Sequence, residues 1–156
     1  MSNLPYRPNV CMLLFNKDVG LFLGERANEA GIWQFPQGGV EPGSSLEESV
    51  LRELYEEAGI DRSKLQIVKK LSATHEYDFA VIPDYARGVW RGQSQTFWLV
   101  RFLGEDTDID LRLHEPEFMN WRWCQLGELE KWVEPRRFNG YRKVLDEVIN
   151  YFGAAI

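Results

Sequence analysis

Cysteine and histidine are scarce, with two of each in 156 residues, and the cysteines, Cys11 and Cys124, lie far apart. That pattern excludes a disulfide-stapled scaffold and the paired Cys-x-x-Cys ligands of a zinc site, and it leaves two buried free thiols as the expectation. Basic charge is also in deficit, 18 Lys and Arg against 24 Asp and Glu, for a net charge of −6. A broad grip on duplex nucleic acid needs many phosphate contacts, so that class is disfavoured, whereas a small local cationic site is not. No apolar run approaches the ~20 residues of a membrane span, and no basic stretch near the N-terminus leads into a long apolar segment. A soluble, cytoplasmic chain with no membrane partner is expected. Repeats and low-complexity tracts are lacking too, and Pro and Gly are scattered, so residues 1–156 are expected to form a single domain.

What is present suffices for a core: 44% of residues are hydrophobic and 13% aromatic, far from the composition of a disordered chain. Apolar, β-branched and aromatic stretches predict strands at residues 10–15, 21–23, 65–71, 96–102 and 121–124. Leu46, Val50, Leu54 and Ala58 recur every four residues and predict a helix over 46–58 that Gly59 stops. Ser44 or Ser45 can cap it, with Glu47 or Glu48 three residues on. A second apolar stripe, Tyr141, Val144, Leu145, Val148, Ile149 and Phe152, predicts a helix over 141–152 that Asn139 can begin. A short helical turn is expected near 126–132, ended by Pro135.

Glu53, Glu56 and Glu57 stand at offsets 0, +3 and +4 in the first helix. At about 100° per residue Glu56 and Glu57 each fall within ~60° of Glu53, so the three share one face. Like charges so placed repel by a few tenths of a kcal/mol per pair, so a cation should compensate. Arg52 is one candidate. A hard divalent ion is the other, because carboxylate oxygens without thiolate or imidazole partners suit Mg²⁺ or Mn²⁺. A solvated acidic face is the ordinary alternative for such a run. What speaks against it is the preceding stretch Trp33-Gln34-Phe35-Pro36-Gln37-Gly38-Gly39, followed by Pro42-Gly43, with glycines where the backbone turns tightly or approaches a ligand.

Residues 38–60 closely resemble the signature box of the Nudix hydrolases. Gly38, Arg52, Glu53, Leu54, Glu56, Glu57, Gly59 and Ile60 match, eight of the nine spaced positions, and Ser44 replaces the first box glutamate. Serine keeps a helix cap but forfeits a carboxylate that could anchor Arg52 or an outer metal. The resemblance implies an α/β fold, a Nudix α/β/α sandwich with a mixed central sheet. It also implies Mg²⁺-dependent hydrolysis of a nucleoside diphosphate linked to another group, with Mn²⁺ as a substitute. Glu53, Glu56 and Glu57 would hold the metals, Arg52 would orient them, and Glu53 or Glu117 would serve as the base.

Further stretches, Tyr6-Arg7-Pro8-Asn9-Val10, Gly92-Gln93-Ser94-Gln95-Thr96-Phe97-Trp98 and Pro116-Glu117-Phe118 with Trp121-Arg122-Trp123, resemble the bacterial RNA 5′ pyrophosphohydrolases. This branch removes pyrophosphate or phosphate from the 5′ end of RNA, leaving a 5′ monophosphate and promoting RNA decay. The opening and the glycine-rich stretch also occur in asymmetric dinucleoside tetraphosphate hydrolases, which are the alternative. A nucleotide-sensing module without catalysis is the rival from another class. The resemblance adds Glu117 to the metal site and places Arg7, Arg26 and Arg137, with Arg136 close behind, on the substrate. For Phe138 two roles stand open, stacking on a base or packing in the core, and Tyr77 is a further candidate base contact. His75 and His114 are expected in polar loop or strand-end roles, and Trp121 and Trp123 in the core. The implied partner is the 5′ end of RNA or a nucleoside polyphosphate, and the oligomeric state, a homodimer included, is left open.

Overall fold

The apolar run of residues 10–15 has no polar face to show water, so it requires cover on both sides. In the computed structural model, which describes residues 3–155, that cover is complete. Strand β1 (Tyr6–Phe15) lies mid-sheet, parallel to β6 (Gly92–Phe102) and antiparallel to β2 (Leu21–Arg26). The sheet runs β3 (Trp33–Gln34), β2, β1, β6 and β5 (Leu65–Asp78), with β4 (Gln37–Gly39) paired to β1 and β7 (Phe118–Cys124) paired to β2. One parallel pair among antiparallel ones makes the sheet mixed.

Side chains alternate faces along a strand, and here that alternation sorts the core in two. Cys11, Leu13, Phe15, Leu21, Leu23, Phe97 and Leu99 pack with Tyr141, Val144, Val148 and Phe152 of helix α3 (Pro135–Ala155). Val10, Met12, Leu14, Phe22, Trp98 and Val100 pack with Val50, Leu54 and Ala58 of helix α1 (Leu46–Ala58) on the other face. The result is the expected α/β/α sandwich with a mixed sheet. Trp121 and Trp123 share one face, 5.6 Å apart, and pack against the α1-side core. Cys11 and Cys124 are free and buried. No helix among the described residues is long and apolar enough to cross a membrane.

Helix α1 has the expected bounds. Ser45 accepts from the Glu48 amide, and Gly59 at φ 68° closes the C-terminus. The Glu48 carboxylate turns to Arg62 at 2.9 Å instead of completing a reciprocal cap. The last helix departs from expectation. It begins at Pro135, not near Asn139, with the Phe138 amide donating to the Glu134 carbonyl at 3.0 Å. Proline in the first turn lacks only an N–H that would have no intrahelical partner, so it starts this helix as readily as it could have ended the short α2 (Leu129–Trp132) before it. The strands exceed their apolar cores: β5 reaches Asp78, β6 starts at Gly92 and β7 at Phe118. The extensions of β5 and β6 are polar and carry much of the site described next, whereas that of β7 begins with the buried Phe118.

Candidate active site

Helix α1 presents its three carboxylates at graded depth, with Glu57 6% exposed, the Glu53 side chain 14% and that of Glu56 45%. Glu57 Oε2 accepts from the Gln37 amide at 3.1 Å, tying the helix to β4. Gly38 is required beside it, because a Cβ there would collide with the Glu53 carboxylate. Arg52 Nη2 donates to the Gly39 carbonyl at 2.9 Å and to Glu53 Oε1 at 3.3 Å, so it holds the glycine-rich strand and the acid together. Its Nη1 lies 3.5 Å from Glu41, and its buried Nε, 4.0 Å from Glu56 Oε1, has no hydrogen-bond partner among the described residues. Ser44 lines the groove beside Arg52, and Glu41 supplies the nearby counter-charge there.

Burial and mutual repulsion raise the pKa values of two of these acids. Glu53 is pushed up to about 7 by burial first and then by Glu56 and Glu117, against the pull of Arg52. Glu57 is raised well above the carboxylate range by burial, Glu53 and Glu117, with the Gln37 amide opposing. Glu117 is exposed and within electrostatic reach of both. Among the described residues, no three His, Cys, Asp or Glu side chains form a finished ligand set. Protein donors engage Glu53 and Glu57. An all-oxygen donor set with two buried, mutually repelling carboxylates nevertheless fits a hard divalent cation, whose charge would relieve the repulsion.

Next to this ridge, on the α3 face of the sheet, opens a cleft of about 400 Å³. Its lining includes Gln37, Tyr77, Arg136 and Arg137. Arg137 is ion-paired with Glu134. Arg7 lies against Gly39, where a Cβ would meet its guanidinium, and over the Tyr85 ring at 4.8 Å. Arg26 is held apart from the cleft by Glu29 at 2.8 Å and Gln34 at 3.0 Å. Phe138 resolves its two open roles by burial: it is 7% exposed in the α3-side core, with the Arg142 guanidinium 5.3 Å over its ring. It therefore packs, and offers no open face to a base. His75 lies within β5 and lines the cleft, its Nδ1 2.9 Å from Lys143 Nζ, whereas His114 packs edge-on to Tyr55 at 5.0 Å.

The sequence reading missed a buried amide network beneath the cleft. Gln93 donates to the Tyr77 hydroxyl at 2.5 Å and accepts from Asn9 at 3.0 Å. Gln95 donates to Asn9 at 2.8 Å and to the Gln37 side chain at 2.5 Å. Asn9, Gln93 and Gln95 are all nearly fully buried. They join Tyr77 in the cleft to Gln37, whose amide holds Glu57. The available signal was polar residues at alternate positions of an otherwise core-forming strand pair, Arg7 opposite Gln93 and Asn9 opposite Gln95.

The family comparison decides what this arrangement belongs to, since the NUDIX domain family matches residues 5–148. The chain belongs to the Nudix family. It is 40% identical over 152 residues to an RNA pyrophosphohydrolase of Sphingopyxis alaskensis, with 94% of each chain covered. It is 38% identical over 149 residues to one of Roseobacter denitrificans, covering 94% of this chain and 93% of that protein. The fold is similar to a C. elegans Ap4A hydrolase binary complex, with TM-score 0.68, 20% identity, and 94% and 98% of the two chains covered. It is equally similar to the E. coli dihydroneopterin triphosphate pyrophosphohydrolase, with TM-score 0.68, 17% identity, and 94% and 99% covered. Nudix hydrolases are enzymes that use divalent metal ions, which accords with the acidic ridge. The Nudix box thus spans β4, its turn and α1, and it places Gly38 against Glu53 and Arg52 against Gly39 and Glu53.

Proposed function

We propose that this Nudix hydrolase removes pyrophosphate or phosphate from the 5′ triphosphate or diphosphate end of RNA. Water attacks a phosphorus of the chain, the anhydride bond to the leaving group breaks, and a 5′ monophosphate end remains. The observation that carries this reading is Gln37, whose amide holds Glu57 of the acidic ridge and whose side chain lines the cleft bearing Tyr77, Arg136 and Arg137. The relatives called RNA pyrophosphohydrolases, matched over nearly the whole chain, support it.

Glu53, Glu56, Glu57 and Glu117 would hold Mg²⁺, for which Mn²⁺ would substitute. The chemistry such an ion would supply there is neutralisation of phosphoryl oxygens and a lowered pKa for the attacking water. Arg52 fixes the Glu53 carboxylate against the Gly39 backbone, and the Gln37 amide fixes Glu57. Arg7 and Arg137 hold the phosphate chain and the first nucleotides, with Arg136 beside Arg137. Arg26 adds positive charge at the end of β2. Tyr77 meets the first nucleoside. A carboxylate of the ridge, Glu53 or Glu117, takes the proton of the attacking water.

The test is pyrophosphate release from short triphosphorylated RNA, compared at matched low concentration with hydrolysis of a dinucleoside tetraphosphate. RNA is the preferred substrate of the wild type, and Glu56→Gln abolishes turnover while keeping the fold. Clear preference for the dinucleotide reassigns the substrate. Tight binding without turnover of either, with Mg²⁺ or Mn²⁺, makes the chain a sensor.

A further inference from the structure

Strand β5 carries two register irregularities, between Ile67 and Lys69 and between Lys70 and Thr74. Within the second, Leu71 and Ala73 pack on the α3-side core, and the same face continues past the helix as His75, Tyr77 and Phe79 lining the cleft. The rings follow one another at 5.4 Å from His75 to Tyr77, 6.3 Å to Phe79 and 6.2 Å to Tyr85. The last two contacts are edge-on, with Phe79 set 87° to Tyr77 and 88° to Tyr85. The Tyr85 ring is 53% exposed, and Arg7 lies over it at one end of the row. Arg136 and Arg137 form the facing wall.

The segment that displays Tyr85 is anchored. The Phe79 amide donates to the Arg91 carbonyl at 3.0 Å, the Arg91 amide to the Pro5 carbonyl at 3.0 Å, and the Trp90 amide to the buried Ala86 at 2.8 Å. Among the described residues neither Arg7 nor Arg136 has a carboxylate partner. Aromatic rings interleaved with unpaired guanidinium groups, in a chain of net charge −6, form a local surface for an anionic polymer with free π-faces. Duplex ends keep their bases stacked and cannot use such rings; unpaired RNA can.

We propose that Phe79 and Tyr85, with Arg7 beside them, form a binding track for unpaired nucleotides downstream of the reacting 5′ end of RNA. This rests on the reading of RNA as substrate and deepens it. Bases stack on the Phe79 and Tyr85 rings, and Arg7 pairs with the backbone phosphate between the track and the acidic ridge. With Phe138 buried, this row supplies the stacking surface.

The test uses the full wild-type chain and a 3′-labelled, 5′-monophosphorylated single-stranded RNA octamer, a product end that is not turned over, with binding read by fluorescence anisotropy. Tyr85→Leu and Phe79→Leu each weaken binding roughly 5- to 30-fold, the loss of one stacked base, with an unchanged salt slope. Arg7→Gln lowers the slope of log affinity against log salt by about one phosphate contact. A blunt duplex with the same 5′ end binds the wild type weakly and is indifferent to Tyr85→Leu. The half-exposed Tyr85 keeps the test valid if Phe79→Leu fails to fold. The track is refuted if Tyr85→Leu binds the octamer as the wild type does, or loses octamer and duplex alike. Pyrophosphate release is measured in parallel. No release with Tyr85-dependent binding removes the hydrolase reading and leaves the track, and release with Tyr85-independent binding does the reverse.

Discussion

Replacing Glu53 by Gln should stabilise the metal-free protein while disabling the enzyme. The side chain is 14% exposed and already crowded by Glu56 and Glu117, so its charge opposes folding when no cation is present. An ordinary carboxylate value of 4.5 raised to about 7 corresponds to about 3 kcal/mol against the fully ionised folded state. The sign follows from the folded value lying above the unfolded one. The cost is absent at pH 4, grows as pH rises through 4.5 to 7 and is complete above it. Local relaxation lowers the net effect to ~1–3 kcal/mol, or roughly 3–10 °C in Tm for a chain of this size. Thermal melts in chelator at pH 8 should therefore place Glu53→Gln above the wild type, with the gap closing by pH 5. Saturating Mg²⁺ should reverse the order, because the wild type gains stability from the ion that the variant binds poorly. Turnover should fall by about 100-fold or more, as expected when a group that organises charge stabilisation is lost. A variant that melts at or below the wild type in chelator at pH 8 refutes the account of Glu53 as a buried, repelled acid awaiting a cation.

Three further outcomes follow from the geometry. Gly38→Ala pushes the Glu53 carboxylate aside while the backbone stays in place, so the variant should unfold near the wild-type temperature yet bind Mn²⁺ more weakly by calorimetry. Gln95→Leu leaves the buried Asn9 carbonyl and Gln37 side chain without their donor, which should cost about 1–3 kcal/mol in urea unfolding. Glu147 is held down in pKa by Lys69 at 2.8 Å and the Ser72 amide at 2.7 Å. Its contribution exists above the unfolded value and disappears as pH falls through the folded one, so Glu147→Gln should cost ~1 kcal/mol at pH 7 and nothing by about pH 2.

Particular residues show how much was legible beforehand. The bounds of α1 and the shared face of Glu53, Glu56 and Glu57 follow from spacing within a few turns, and both stand in the structure. Pro135 was ambiguous because proline both ends and begins helices, and only the docking of Phe138 and Tyr141 into the core selects the second role. Phe138 itself carried two readings, a base stack or a core position, and no neighbour in the chain reports which of them packing selects. Asn9, Gln93 and Gln95 gave only their alternation as a sign, which does not reveal burial, since amides in strands are usually solvated.

Within one helix, side chains three and four apart are forced together by the backbone, so the order of residues alone determined the acidic ridge and its glycine stop. The cleft needed the sheet. Asn9 meets Gln95 across 86 positions, and the irregular register of β5 decides that Tyr77 and Phe79 look toward α3. Such pairings depend on which strands lie side by side and in what register, a choice made by burying both faces of β1 at once, and only the tertiary structure contains it.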